Sequence, residues 1–129
     1  MSYLAIDYGT KRVGVAVSRG SVAVPLVVLP NQENLFTELE RIIAEEKAQK
    51  VIVGLSESEM AIKTKNFVLE LKKRTDIPVI FIDETLSSQE VEQRLRQAGI
   101  KQKVRNGPID HFAAALILED WLEQNYHQV

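Results

Sequence analysis

Tyr3-Leu4-Ala5-Ile6-Asp7-Tyr8-Gly9-Thr10-Lys11-Arg12-Val13-Gly14-Val15-Ala16-Val17-Ser18 reads as two short apolar strands joined by a turn at Gly9-Thr10-Lys11-Arg12. A third apolar run, from Val22 to Leu29, follows at once, and Pro25 inside it predicts an edge or a bend. Three such runs, separated by glycine and charged residues, predict an antiparallel meander. Downstream the pattern changes to alternating helix and strand. Leu35, Leu39, Ile42 and Ile43 have helical spacing over residues 34–48. Val51-Ile52-Val53-Gly54-Leu55 reads as a buried strand, and Phe67, Val68 and Leu71 mark a helix over residues 64–74. The segment 56–63 reads as a loop running into that helix. Val79-Ile80-Phe81-Ile82-Asp83 reads as the last strand. Ser87-Ser88-Gln89-Glu90 resembles a capping box that opens a helix through Val91 and Leu95, and Gly99 is placed to end it. Pro108 suits the start of a final helix to about residue 125. The order β-β-β-α-β-α-β-α-α gives an α/β fold. Its core is a five-stranded mixed sheet, three antiparallel strands and then parallel ones, flanked by helices.

The chain has 129 residues, a length that suits one domain, residues 1–129. No apolar run approaches the roughly 20 residues that span a bilayer, and the N-terminus lacks the basic and apolar regions of a secretory signal. There is no cysteine, which removes disulfides, thiolate metal sites and a cysteine nucleophile and fits a reducing, cytoplasmic setting. The net charge of −2 weighs against a tight, non-specific nucleic-acid binder, which would be basic. It leaves room for an enzyme that meets nucleic acid through a local basic patch.

The acids carry the chemistry. Asp7 lies late in the first strand, where alternation puts it on one face with Ala5 and Tyr3 and puts Leu4, Ile6 and Tyr8 on the other. Asp83 and Glu84 end the last strand, at the carboxyl edge where ligands gather in parallel sheets. Asp110 opens the last helix in line with Ala113, Ala114, Ile117 and Trp121, while His111, Glu119 and Glu123 fall on the opposite side. An acid on the apolar stripe beside two alanines predicts that Asp110 leans over the sheet towards Asp7. Other readings remain open at each position: Asp7 as a turn cap, Asp83-Glu84 as a solvated pair, Asp110 as a first-turn helix acid. Taken together, converging carboxylates repel unless a cation lies between them. Oxygen-only ligands suit Mg²⁺ or Mn²⁺, and two ions about 4 Å apart can stabilise both oxygens of a phosphodiester displacement. Basic residues concentrate at Lys11-Arg12, Lys63-Lys65, Lys72-Lys73-Arg74 and Lys101 to Arg105, the last group just before Asp110.

Asp7-x-Gly9-x-x-Arg12-x-Gly14-Val15-Ala16-x-Ser18, Val53-Gly54-Leu55, Asp83-Glu84-x-Leu86-Ser87-Ser88 and Lys103-x6-Asp110-x2-Ala113-Ala114 resemble, in order, the motifs of the YqgF family. These are bacterial Holliday junction resolvases, also described as pre-16S rRNA nucleases. The resemblance implies an RNase H-like fold and a cytoplasmic, Mg²⁺- or Mn²⁺-dependent nuclease acting on precursor rRNA or branched DNA, as monomer or homodimer. It places the catalytic, metal-holding acids on Asp7, Glu84 and Asp110, with Asp83 as a further metal candidate. It places Arg12 on the family's arginine, implying that Arg12 contacts a substrate phosphate or supports the acidic cluster. Thr10, Lys11, Lys103 and Arg105 stand as further candidates for substrate contact. Two stretches depart from the family. Ser56-Glu57-Ser58-Glu59-Met60 replaces a proline- and glycine-containing loop, and Thr85 replaces an arginine. Both changes fall where substrate contacts are expected. Two other readings compete. One is an RNase H-fold adaptor without catalysis that binds ribosomal RNA or protein. The other is a nucleotide-phosphate-binding module built on Asp7-Tyr8-Gly9-Thr10.

Overall fold

A computed structural model describes residues 2–56, 59–83 and 88–126. The strands are β1 (Ser2–Tyr8), β2 (Arg12–Arg19), β3 (Val22–Pro30), β4 (Ala48–Leu55) and β5 (Val79–Asp83). They form one sheet in the order β3-β2-β1-β4-β5. β1, β2 and β3 pair antiparallel, and β4 and β5 run parallel to β1. The mixed five-stranded sheet expected from the sequence is the one formed. Pro25 meets both expectations. It lies on the edge strand β3, opposite Ala16, where the register shifts between Val15 and Ala16. A bulge accommodates a residue that cannot donate to the ladder.

The helices are α1 (Leu35–Glu45), α2 (Met60–Lys72), α3 (Ser88–Gln97), α4 (Gln102–Arg105) and α5 (Asp110–Tyr126). α1 stops three residues short of its expected end, because Lys47 takes a left-handed φ of 52° and Ala48 already belongs to β4. α2 begins earlier than expected, at Met60. α5 begins at Asp110, two residues after Pro108. α4 was not foreseen; one helical turn is too short to show a periodicity. The capping-box reading at Ser87 lies outside the described residues. At the other end of α3, Gly99 has φ +80°, and Ile100 N–H bonds back to the Leu95 carbonyl at 3.0 Å. A left-handed glycine with this back-bond is how a helix satisfies its last carbonyls.

The sheet separates two cores. On one face Leu4, Ile6, Val13, Val15, Val17, Val51 and Val53 pack against Leu35, Leu39 and Ile42 of α1 and Phe67, Val68 and Leu71 of α2. On the other, the smaller residues Ala5 and Ala16 join Ile52 and Ile82 under Ala114, Ala115, Ile117, Leu118 and Trp121 of α5. The alternation read along β1 is therefore obeyed. A third cluster, Val91, Leu95 and Leu116, fastens α3 to the outer side of α5. Among the described residues, no helix is long and apolar enough to cross a membrane.

Candidate active site

The site grows from a close approach of α5 to β2. Gly14 lies opposite Asp7 in the β1–β2 ladder. A Cβ added at Gly14 would lie 1.9 Å from the backbone oxygen of Asp110. No side chain fits there, so the absence of one lets the first turn of α5 rest on the sheet beside Asp7. Ala5, Ala16 and Ala114 continue the low surface behind it. The expectation that Asp110 leans over the sheet towards Asp7 thus has a backbone cause.

The two carboxylates feel each other. Burial, and then the charge of Asp110, push the Asp7 carboxyl up to about 6. Among the described residues nothing donates a hydrogen bond to Asp7 and no cation pairs with it. Asp110 is partnered: Arg12 Nε donates to its Oδ2 at 2.8 Å. The Arg12 side chain is 54% exposed and that of Asp110 23%, so the pair sits at the mouth of the site. A half-buried carboxylate without a counter-charge, beside a second carboxylate, is a donor set that suits a hard divalent cation. Among the described residues no third acid or histidine joins them in a cluster. Glu84, the third acid expected, lies outside the described residues, as does Thr85.

Other candidates separate. Ile80 and Ile82 face the α5 core, so strand alternation turns Asp83 to the opposite face of the sheet, where it is exposed. It does not join Asp7 and Asp110. Arg105 is also taken elsewhere. Its side chain is only 11% exposed; Nε donates to Glu92 Oε1 at 2.8 Å and Nη1 to the Ile100 carbonyl. Arg105 braces α4 against α3, and an arginine this buried and already tied to Glu92 and Ile100 presents little of its guanidinium to phosphate. Thr10, Lys11 and Lys103 are exposed, the first two in the turn between Asp7 and Arg12. His111 needs a correction. Sequence spacing put it on the solvent side of α5, but it is half-buried, with Nδ1 buried and no hydrogen-bond partner among the described residues. Burial lowers its pKa, with Asp110 opposing. α5 is wedged between the sheet and α3, so most of its circumference in the middle turns is buried. A reading that assumes one apolar stripe misses the second packed side.

The model of the RuvX family, described as Holliday junction resolvase, matches residues 1–124. The chain belongs to that family. A relative from Nitratidesulfovibrio vulgaris, named "Putative pre-16S rRNA nuclease", is 40% identical, over 95% of this chain and 93% of its own length. One from Pseudomonas fluorescens with the same name is 36% identical, over 95% and 92%. Among solved structures, T. thermophilus RuvC in complex with Holliday junction substrate superposes with a TM-score of 0.67 at 17% identity, covering 98% of this chain and 96% of that one. The fowlpox virus Holliday junction resolvase gives a TM-score of 0.63 at 16% identity, over 96% and 99%. The fold is that of RuvC and of RNase H-like proteins. The family is one of nucleases, which makes hydrolysis of nucleic acid the activity that membership supports.

Proposed function

We propose that the chain is a divalent-metal-dependent nuclease whose centre is Asp7 and Asp110, completed by Glu84. The carrying observation is the convergence of Asp7 and Asp110 across Gly14, with no neutralising partner for Asp7 among the described residues. The three acids would hold Mg²⁺ or Mn²⁺, two ions by the logic of phosphodiester displacement. Such ions, when bound, supply Lewis acidity to the phosphodiester and make water a nucleophile at neutral pH. The protein's own part is to fix the acids. Asp7 is anchored mid-sheet by its ladder position, and Asp110 by a helix that cannot retreat from Gly14 without losing its packing. Thr10, Lys11, Arg12 and Lys103 are the residues that would meet the phosphate backbone. Arg105 and Asp83 are left out for the reasons given above.

Precursor 16S rRNA, cut near its 5′ end in the cytoplasm, is the substrate we favour, because relatives at 36–40% identity carry that name. Branched DNA is the second substrate, supported by the family model. A junction substrate with two-fold symmetry would call for a homodimer, an RNA end for a monomer. A cleavage assay with Mn²⁺, offering single-stranded precursor RNA and a four-way DNA junction in parallel, tests the reading. Wild type should cut one of them. Asp7→Asn, Asp110→Asn and Glu84→Gln should each lower the rate by roughly 10²–10³-fold, on the scale of removing a principal charge-stabilising group. Folded protein that cuts neither substrate would overturn the nuclease reading in favour of the adaptor. Loss with Asp7→Asn and Asp110→Asn but not with Glu84→Gln would remove Glu84 from the site.

A further inference from the structure

We propose that Arg12 is the resident counter-ion of Asp110 in the metal-free protein, and that Arg12 and a divalent cation compete for that carboxylate. The inference rests on the metal reading of the site and adds a control on how the metal enters it.

Four observations carry it. The pair is directional, Nε to Oδ2 at 2.8 Å, so one edge of the guanidinium is spent on Asp110. The two Nη groups find no hydrogen-bond acceptor among the described residues. The backbone of Asp110 is held close to Gly14 by the packing of α5 on the sheet. The Arg12 side chain is more than half exposed and is free to swing outward. Of the two carboxylates, the one at the mouth is therefore neutralised by a movable cation while the deeper one, Asp7, is not. A metal ion that takes Asp110 meets a guanidinium already using one of its oxygens, and two cations on one carboxylate oppose each other. This is negative coupling between two ligands of one group, and linkage makes it reciprocal. Displaced from Asp110, Arg12 carries five donors in a planar fork suited to phosphate. The same residue then serves the empty site as counter-ion and the loaded site as a substrate contact. Metal loading and substrate contact become ordered steps.

The test is Mn²⁺ binding to the full chain without nucleic acid, followed by the electron paramagnetic resonance of the free ion. Arg12→Gln should bind Mn²⁺ about fivefold more tightly than wild type, the low end of coupling energies because the pair is exposed. Arg12→Lys keeps the charge but loses the fork, and should fall between the two. The sign is what matters. General loosening of the site would weaken metal binding, so tightening cannot come from structural damage; circular dichroism melting confirms the fold. Mn²⁺ affinity unchanged or weakened in Arg12→Gln overturns the competition. Asp110→Asn separates that failure from failure of the site. If it leaves Mn²⁺ affinity intact, Asp110 is no ligand and both readings fall. If it weakens Mn²⁺ while Arg12→Gln does not tighten it, only the competition falls. Mn²⁺ uptake by none of the proteins also overturns both.

Discussion

The two faces of one sheet are built by opposite rules. Under α1 and α2 the strands present valine, leucine and isoleucine, and Tyr8 and Phe67 stack with ring centres 4.4 Å apart. Under α5, Ile52 and Ile82 meet Ile117, Leu118 and Trp121, but β1 and β2 present only Ala5, Ala16 and Gly14, and the helix answers with Ala114 and Ala115. Large side chains keep a helix at a distance and stabilise by the area they bury. Small ones give up that area for closeness. Here closeness brings a helix terminus, and with it Asp110, down to a carboxylate embedded in the sheet. One face holds its helices off on large side chains; the other, still a packed core, draws its helix close where the small residues lie and builds a site there.

The largest expected effect breaks the first face. Phe67 is buried between Tyr8 and Phe36. Phe67→Ala should cost about 3–5 kcal/mol of stability, read by urea unfolding. Cleavage per folded molecule should survive at a temperature where the variant remains folded, because neither acid touches this core. A specific loss of turnover in folded protein would mean that the two faces are not independent.

The next effect breaks the second face. Gly14→Ala inserts a methyl where the Asp110 backbone oxygen stands 1.9 Å away. Neither neighbour is a flexible side chain, so α5 must shift. The stability cost should be about 1–3 kcal/mol, smaller than for Phe67→Ala. Turnover should nonetheless fall by roughly 10²-fold, the usual penalty for a displacement near 1 Å at reacting groups. The pair of variants should thus reverse rank between stability and activity. A Gly14→Ala enzyme with full activity would show that the close approach serves packing alone.

The sequence showed much of this asymmetry and hid part of it. Period-two alternation along β1 separates Asp7 and Ala5 from Leu4 and Ile6 without any structure, and Pro25 marks its own edge. Asp110 stands out because an acid on an apolar stripe is costly unless something uses it. Three things were not readable. The reason for Gly14 is a contact with a residue 96 positions later, and no local pattern records it. Arg105 looks like any lysine- or arginine-rich loop cation until Glu92 and the Ile100 carbonyl are seen to consume it. Asp83 and Glu84 are neighbours in sequence, and only the register of β5 shows that Asp83 turns away from Asp7. Contacts between distant segments decide all three.

The smallest effect sharpens the comparison by asking what the second face costs when no metal is present. Asp7 has its carboxyl pushed up to about 6, above the ordinary carboxylate value, first by burial and then by Asp110. The folded state therefore holds the proton more tightly than the unfolded chain does. Stability of the metal-free protein should be greatest below about pH 4, fall as pH rises through 4 to 6, and level off above that, as far as this group is concerned. Asp7→Asn removes the charge but keeps the shape. In EDTA at pH 8 it should stabilise the protein by roughly 1–2 kcal/mol, less than full burial would give because water still reaches the carboxylate. At pH 4 the gain should vanish, since wild type is then protonated as well. Adding Mn²⁺ at pH 8 should reverse the order: wild type gains from binding and Asp7→Asn does not. Thermal melting at two pH values, with and without metal, reads all four corners. A variant more stable than wild type in EDTA and less stable in Mn²⁺ identifies Asp7 as a group placed against the interest of folding and in the interest of a cation. A variant with no gain at pH 8 would mean that the strain attributed to this carboxylate is not there, and that the small face is merely a tightly packed one.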